Sequence, residues 1–129
     1  MRHDPLSDAF AAIKNAESVG KNECIVRPAS RLVRSVLGMM QKKNYIGSVE
    51  EIKDGKGDMF RIELLGKINN CNIIKPRFSL SRNEFIKWEK RYLPSQNMGM
   101  LIMTTSRGVM SHEDAKKTGI GGCLLGFVY

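Results

Sequence analysis

The last quarter of the chain, Met98 to Tyr129, leaves few ways to fold, because two short apolar runs are separated by a helix-start signal and by glycine breaks. Met100 to Met103 and Leu124 to Tyr129 are the runs. Between them Ser111 is followed three residues later by Asp114, which reads as a helix start, and Gly119 is placed to stop that helix. Two strands flanking one short helix are expected. Thr104-Thr105-Ser106-Arg107-Gly108 makes a hydroxyl-rich loop at one junction, and Gly119-Ile120-Gly121-Gly122 makes a glycine loop at the other. Short hydroxyls beside glycines let main chain and small polar groups come close to a ligand, since no Cβ stands in the way. The same residue types also serve plain turn chemistry, and spacing alone does not separate the two readings.

The rest of the chain reads as alternating helices and strands. Asp4 before Pro5 opens a helix from about Pro5 to Val19, ended by Gly20. At about 100° per residue, Leu6, Ala9, Phe10, Ile13 and Ala16 share one face, while Ser7, Ala11, Lys14, Asn15 and Ser18 share the other. That second face is small and polar, suited either to water or to a phosphate backbone within reach of Lys14 and Asn15. Glu23 to Arg27 reads as a strand ended by Pro28. Ser30 caps a second helix to about Lys43, apolar at Leu32, Val33, Val36, Leu37, Met39 and Met40, with Arg31, Arg34, Gly38, Gln41 and Lys42 opposite. A basic stripe of that type is a wet face or a partner surface.

Tyr45 to Ile52 and Met59 to Leu65 form two strands joined through Asp54-Gly55-Lys56-Gly57, with Phe60, Ile62 and Leu64 pointing one way. Gly66 to Asn72 is the expected connector. Ile73 to Ser79 reads as an edge strand, because Pro76 cannot donate to a ladder, and Lys75 and Arg77 leave it on a common face. Ser81-Arg82-Asn83-Glu84 has a capping-box pattern opening a helix to about Tyr92, stopped by Pro94. Phe85, Trp88 and Tyr92 recur at i, i+3 and i+7, a buried stripe in preference to a base-stacking one, with Arg82, Lys87, Lys90 and Arg91 outside. The expected architecture is α/β (α+β) in two small lobes. Residues 1–66 give a helix-strand-helix-strand-strand lobe, and residues 67–129 a mostly-β lobe with short helices.

Charge narrows the function. Twenty-one Lys and Arg against 13 Asp and Glu leave the 129 residues at +8, a balance that points to a polyanion. By segment the net charge is +4 over residues 1–43, −1 over 44–71, +4 over 72–97 and +1 over 98–129, so the hydroxyl and glycine loops lie in a nearly neutral stretch. Such a division suits folded RNA: cations supply phosphate contacts, while an uncharged surface reads shape, 2′-hydroxyls and exposed base edges. Thr105 and Ser106 each donate and accept, and so can read either kind of edge.

Other functions fit poorly. His112 stands beside Ser111, Glu113 and Asp114, but neighbours along a helix start do not face each other, and His3 is the only other histidine. The glycines match neither Gly-x-x-x-x-Gly-Lys-Ser/Thr nor Gly-x-Gly-x-x-Gly. Cys24, Cys71 and Cys123 form no Cys-x-x-Cys pair, so no zinc site or disulfide framework is suggested, and no cofactor is expected. No run approaches the roughly 18 apolar residues of a spanning helix, and the start lacks an apolar signal core, so a cytosolic protein is expected. A membrane-surface module would need a helix with an exposed apolar face, whereas strands are available to cover these.

Thr104-Thr105-Ser106-Arg107-Gly108-Val109-Met110-Ser111-His112, followed by Gly119-Ile120-Gly121-Gly122, closely resembles the C-terminal signature of the family of the eighth small-subunit ribosomal protein. Asp4-Pro5-Leu6-Ser7-Asp8 and Ile13-Lys14-Asn15-Ala16-Glu17 resemble its start. Ile74 to Phe78 and Lys87 to Pro94 are similar to segments of its archaeal and eukaryotic branch. The resemblance implies a non-enzymatic constituent of the small subunit, in the cytoplasmic ribosome. It implies binding to the central domain of small-subunit rRNA early in assembly, beside the second, fifth and seventeenth proteins. Carried over, Thr105 and Ser106 contact RNA, with Thr104, Arg107, Gly108, Gly121 and Gly122 shaping their pocket and Lys75, Arg77, Ser7, Lys14 and Asn15 as further contacts. The alternative is a non-ribosomal RNA-binding regulator, such as a repressor of its own messenger. Asn72 stands where the family usually has glycine, and asparagine tolerates a left-handed turn there. Cys123 stands where the family more often has a charged or polar residue, so no ionic contact is carried over there, and a thiol can still pack.

Overall fold

The computed structural model describes the chain apart from residues 1–4, 28–29, 54, 56–57, 75–78, 82–83 and 95–97. It divides into two compact units, Met1–Asn69 and Asn70–Tyr129. Both are mixed α/β with an antiparallel sheet.

The first unit runs α1 (Pro5–Ser18), β1 (Glu23–Val26), α2 (Arg31–Lys42), β2 (Ile46–Ile52) and β3 (Met59–Leu64), in the expected order. Leu6, Ala9, Phe10, Ile13 and Ala16 of α1 are buried, while Ala11, Lys14, Asn15 and Ser18 are exposed and Ser7 is half-buried. Ser30 caps α2 by accepting the Val33 amide at 3.1 Å, and Val33, Val36, Leu37 and Met40 are buried beneath it. The strands lie in the order β1-β3-β2. Alternation along β3 buries Phe60, Ile62 and Leu64 against the helices and leaves Arg61 and Glu63 outside. Glu17 accepts the Ile68 amide at 3.0 Å, which ties the stretch after β3 back to α1.

The second unit comprises β4 (Cys71–Ile73), β5 (Ser79–Leu80), α3 (Phe85–Tyr92), β6 (Met100–Thr105), β7 (Gly108–Ser111), α4 (His112–Thr118) and β8 (Gly122–Val128). Its sheet has the order β4-β8-β6-β7, with β5 also on β8. Leu101, Met103 and Leu124 pack with Phe85, Trp88, Leu93 and Ala115 in one core. Phe85 and Trp88 are therefore core residues. Trp88, Tyr92, Phe127 and Tyr129 stack in sequence, with centroids 6.1, 5.6 and 5.9 Å apart, at the rim of that core.

Three local expectations are corrected. Asn72 is not in a left-handed turn: it lies within β4, opposite Phe127, and among the described residues Asn44 and Asp58 are the non-glycine residues at positive φ. A strand ladder supplies its backbone partners, so no special φ is required there. Of the edge strand expected from Ile73 to Ser79, Ile73 lies in Cys71–Ile73, Ile74 is in no strand and Ser79 lies in Ser79–Leu80, while Lys75, Pro76, Arg77 and Phe78 lie outside the described residues. The capping pattern forms only by half. Glu84 is the cap position of α3, and both the Ser81 amide (3.4 Å) and the Ser81 hydroxyl (2.8 Å) donate to its carboxylate, which holds that carboxyl below its usual pKa. The Glu84 amide donates to the Ser81 carbonyl at 3.1 Å and not to its hydroxyl oxygen, and the helix runs from Phe85.

Ser30→Ala should cost about 1 kcal/mol of stability in urea denaturation by removing the α2 cap. Gly38→Ala, exposed on the same helix with nothing near the added Cβ, should raise stability by about 0.5–1 kcal/mol.

Candidate nucleic-acid interface

The segment expected as a hydroxyl loop is a tight hairpin. Thr104 and Thr105 belong to β6, Gly108 begins β7, and Thr105 pairs with Gly108 across a turn made by Ser106 and Arg107. Threonine is β-branched, which favours the extended strand over the loop that its polarity suggests. Neither Ser106 nor Arg107 has positive φ; the one left-handed position in the turn is Gly108, at φ +107°. The Thr105 hydroxyl spans the turn, accepting the Arg107 amide at 3.1 Å and donating to the Gly108 carbonyl at 2.9 Å. Its hydrogen is spent inside the hairpin. Ser106 and Arg107 are exposed at the tip, and their side chains have no hydrogen-bond or ion-pair partner among the described residues.

The glycine segment comes up beside this hairpin. Ser111 caps α4 by accepting the Asp114 amide at 3.3 Å, and Gly119, at φ +72°, closes the helix and turns the chain toward β8. Thr104 then pairs with Cys123, and a Cβ on Gly122 would fall on the Thr104 carbonyl oxygen. Only glycine lets β8 start so close to β6. Thr104, Thr105, Gly121 and Gly122 are half-buried around the exposed tip. The Cys123 Sγ and the Ser79 hydroxyl form a hydrogen bond at 3.6 Å in which either can donate.

A buried polar network holds this corner, and the sequence reading missed it. His112, 1% exposed, accepts the Leu101 amide on Nδ1 at 2.9 Å, and its Nε2 faces Glu89 Oε1 at 3.3 Å. Glu89, 5% exposed, also pairs with Lys116. The ring thus joins β6, α3 and α4. Burial lowers the His112 pKa, against the opposing pull of Glu89 and Glu113, and a proton on Nδ1 would have to displace the Leu101 amide. Glu89 follows Phe85 by four residues on the apolar stripe of α3, which was the available signal for a buried carboxylate.

Ser7, Lys14 and Asn15 share one side of α1 in the first unit, and Lys75 and Arg77 lie outside the described residues. On α2, Arg31 and Lys42 are exposed, whereas Arg34 pairs with Glu51 and lies over the Phe60 ring. On α3, Lys87 and Arg91 lie over Trp88 at 5.4 and 5.3 Å. Among the described residues no group of His, Cys, Asp and Glu is placed to hold a metal ion, and no helix is long and apolar enough to cross a membrane.

The sequence model of ribosomal protein S8 matches residues 4–129. The chain belongs to the ribosomal protein S8 family. It is 51% identical over 126 residues to small ribosomal subunit protein uS8 of Methanococcoides burtonii, covering 98% of this chain and 97% of that one. Identity to uS8 of Methanosphaerula palustris is 51% over 128 residues, covering 99% and 98%. For uS8 of Picrophilus torridus it is 50% over 129 residues, with both chains covered completely. The S8 family is structural in kind, and the resemblance to its archaeal branch is borne out along the whole chain.

Two outcomes follow for this S8-family chain. Gly122→Ala should unfold the unit or open the Gly122 end of the β6–β8 ladder, seen as lost amide protection at Thr104 and Thr105, because the new methyl meets backbone and not a flexible side chain. Unfolded His112 takes up its proton near pH 6.5, and the folded residue does so only at lower pH. The second unit should therefore lose stability as pH falls from about 7 to about 5 and not as it rises. His112→Asn, which keeps an acceptor for Leu101, should flatten that dependence in pH-resolved urea melts.

Proposed function

We propose that the chain is a structural constituent of the small ribosomal subunit and binds the central domain of its rRNA through the Thr105–Gly108 hairpin. The observation that carries this is chemical: a locked turn presents the Ser106 hydroxyl and the Arg107 guanidinium, neither partnered among the described residues, beside a half-buried glycine wall. Ser106 reads a base edge or a 2′-hydroxyl, for which a neutral donor and acceptor is suited. Thr105 acts chiefly by holding the turn, with one oxygen lone pair left for RNA. Thr104, Gly108, Gly121 and Gly122 shape the wall, and Arg107 answers a phosphate or stacks on a base.

Affinity comes from cations elsewhere along the sequence. Lys75 and Arg77 in the second unit, with Lys14 beside Asn15 and Ser7 in the first, are assigned to the phosphate backbone. The two-lobe division, with residues 67–129 as the RNA-reading part, belongs to the same proposal. Family likeness supports work in the cytoplasmic ribosome beside the second, fifth and seventeenth small-subunit proteins, entry early in assembly, and no catalytic role. Repression of its own messenger would use the same hairpin on an RNA that mimics the rRNA site.

Ser106→Ala should weaken binding to a folded central-domain rRNA fragment by about 1–3 kcal/mol with its salt dependence nearly unchanged. Lys75→Ala should reduce the salt slope by about 1 and weaken all RNAs alike. Identical behaviour of the two variants would contradict the division of labour. Crosslinking in cells, with sequencing of the bound fragments, should recover rRNA; messenger recovered without rRNA would replace the ribosomal reading with the regulatory one.

A further inference from the structure

The three-stranded sheet of the first unit has helices on one face only. Its other face carries Glu23 and Ile25 from β1, Arg61 and Glu63 from β3, and Ser48 and Glu50 from β2, all exposed. With Asn22, the polar members of this set line a concavity of about 360 Å³. Three carboxylates thus surround one guanidinium on a chain whose net charge is +8.

These charges are poorly matched to one another. Glu23 and Glu63 stand directly opposite in register, a like-charge pairing that costs stability in a sheet. Arg61 is 3.9 Å from Glu23 and 3.8 Å from Glu50, beyond hydrogen-bond distance of either. The Glu63 carboxylate has no hydrogen-bond or ion-pair partner among the described residues and lies over Gly47, where a Cβ would meet it. Beside this acidic hollow, Ile25 is 50% exposed, and it borders a second groove of about 610 Å³ shared with Val19, itself 68% exposed.

Phosphates would meet three carboxylates here, so charge excludes this face from the RNA surface. We propose that it docks a protein segment bearing lysine or arginine, laid across the strands with its cations on Glu23, Glu50 and Glu63 and an apolar side chain on Ile25. With three carboxylates against one guanidinium the concavity is net negative and draws in the opposite charge, and exposed Ile25 adds an apolar contact that a mere solvated face would not offer. The inference stands on charge and exposure and does not require the rRNA assignment.

The test uses the full chain and a fluorescent twelve-residue peptide alternating Arg or Lys with Val or Thr, titrated by anisotropy at low salt. Saturable binding is expected. Glu50→Gln with Glu63→Gln should weaken it about tenfold or more, and Ile25→Ser about threefold. Asp8→Asn with Glu113→Gln, the same change in net charge elsewhere, should alter it less than about twofold. The Glu50/Glu63 variant should melt at or above the parent temperature, since like-charge crowding is relieved, and should keep its affinity for a folded rRNA fragment. The proposal is overturned by absence of saturable binding or by equal losses in the two double variants. It is also overturned if the Glu50/Glu63 variant loses RNA affinity, or if it dissociates a dimer of this chain seen by sedimentation.

Discussion

The Thr105 hydroxyl is the interaction on which the C-terminal surface depends. By taking the Arg107 amide and giving its hydrogen to the Gly108 carbonyl, it satisfies two groups that a two-residue turn would otherwise leave to water. The turn is then fixed from inside. Ser106 and Arg107 need no partner to hold their backbone, and their side chains are left for something else. A hydroxyl held on a rigid turn loses little conformational entropy when it meets a ligand, which is why a short polar side chain can discriminate at all.

Around that turn, the second unit is built to keep main chain close and still. Gly122 brings β8 onto the Thr104 carbonyl, Gly119 sets the direction of approach, and His112 ties the Leu101 amide to the buried Glu89–Lys116 pair. The cost of burying Glu89 is offset by two partners and not one, as a buried carboxylate requires. The network is neutral overall when His112 is neutral.

Much of the fold was legible because its faces are simple. On α1 and α2 the apolar positions repeat with helical spacing, and on β3 they alternate, so the buried residues follow from the period alone. Ser30, Gly20, Ser111 and Gly119 mark helix ends by local chemistry, which a single chain displays. The failures have physical reasons. Thr104 and Thr105 look like a loop by polarity and form a strand because β8 and β7 flank them. Asn72 is extended because β8 offers it a ladder. Glu89 and His112 meet across 23 positions, and nothing in local spacing announces that pairing. Bringing the hydroxyls and glycines together was legible by resemblance; that the Thr105 hydroxyl is committed to the turn while Ser106 has no partner among the described residues was not.

The central claim is that a neutral hydroxyl at the tip of this hairpin, and not the scattered cations, recognises the RNA. A structure of the chain on a folded central-domain rRNA fragment tests it most directly. The account predicts Ser106 Oγ within about 3 Å of a base edge or a 2′-hydroxyl, with Thr105 Oγ1 still bridging Arg107 and Gly108. A complex in which every nucleotide meets only Lys and Arg side chains, with the hairpin facing solvent, would contradict it.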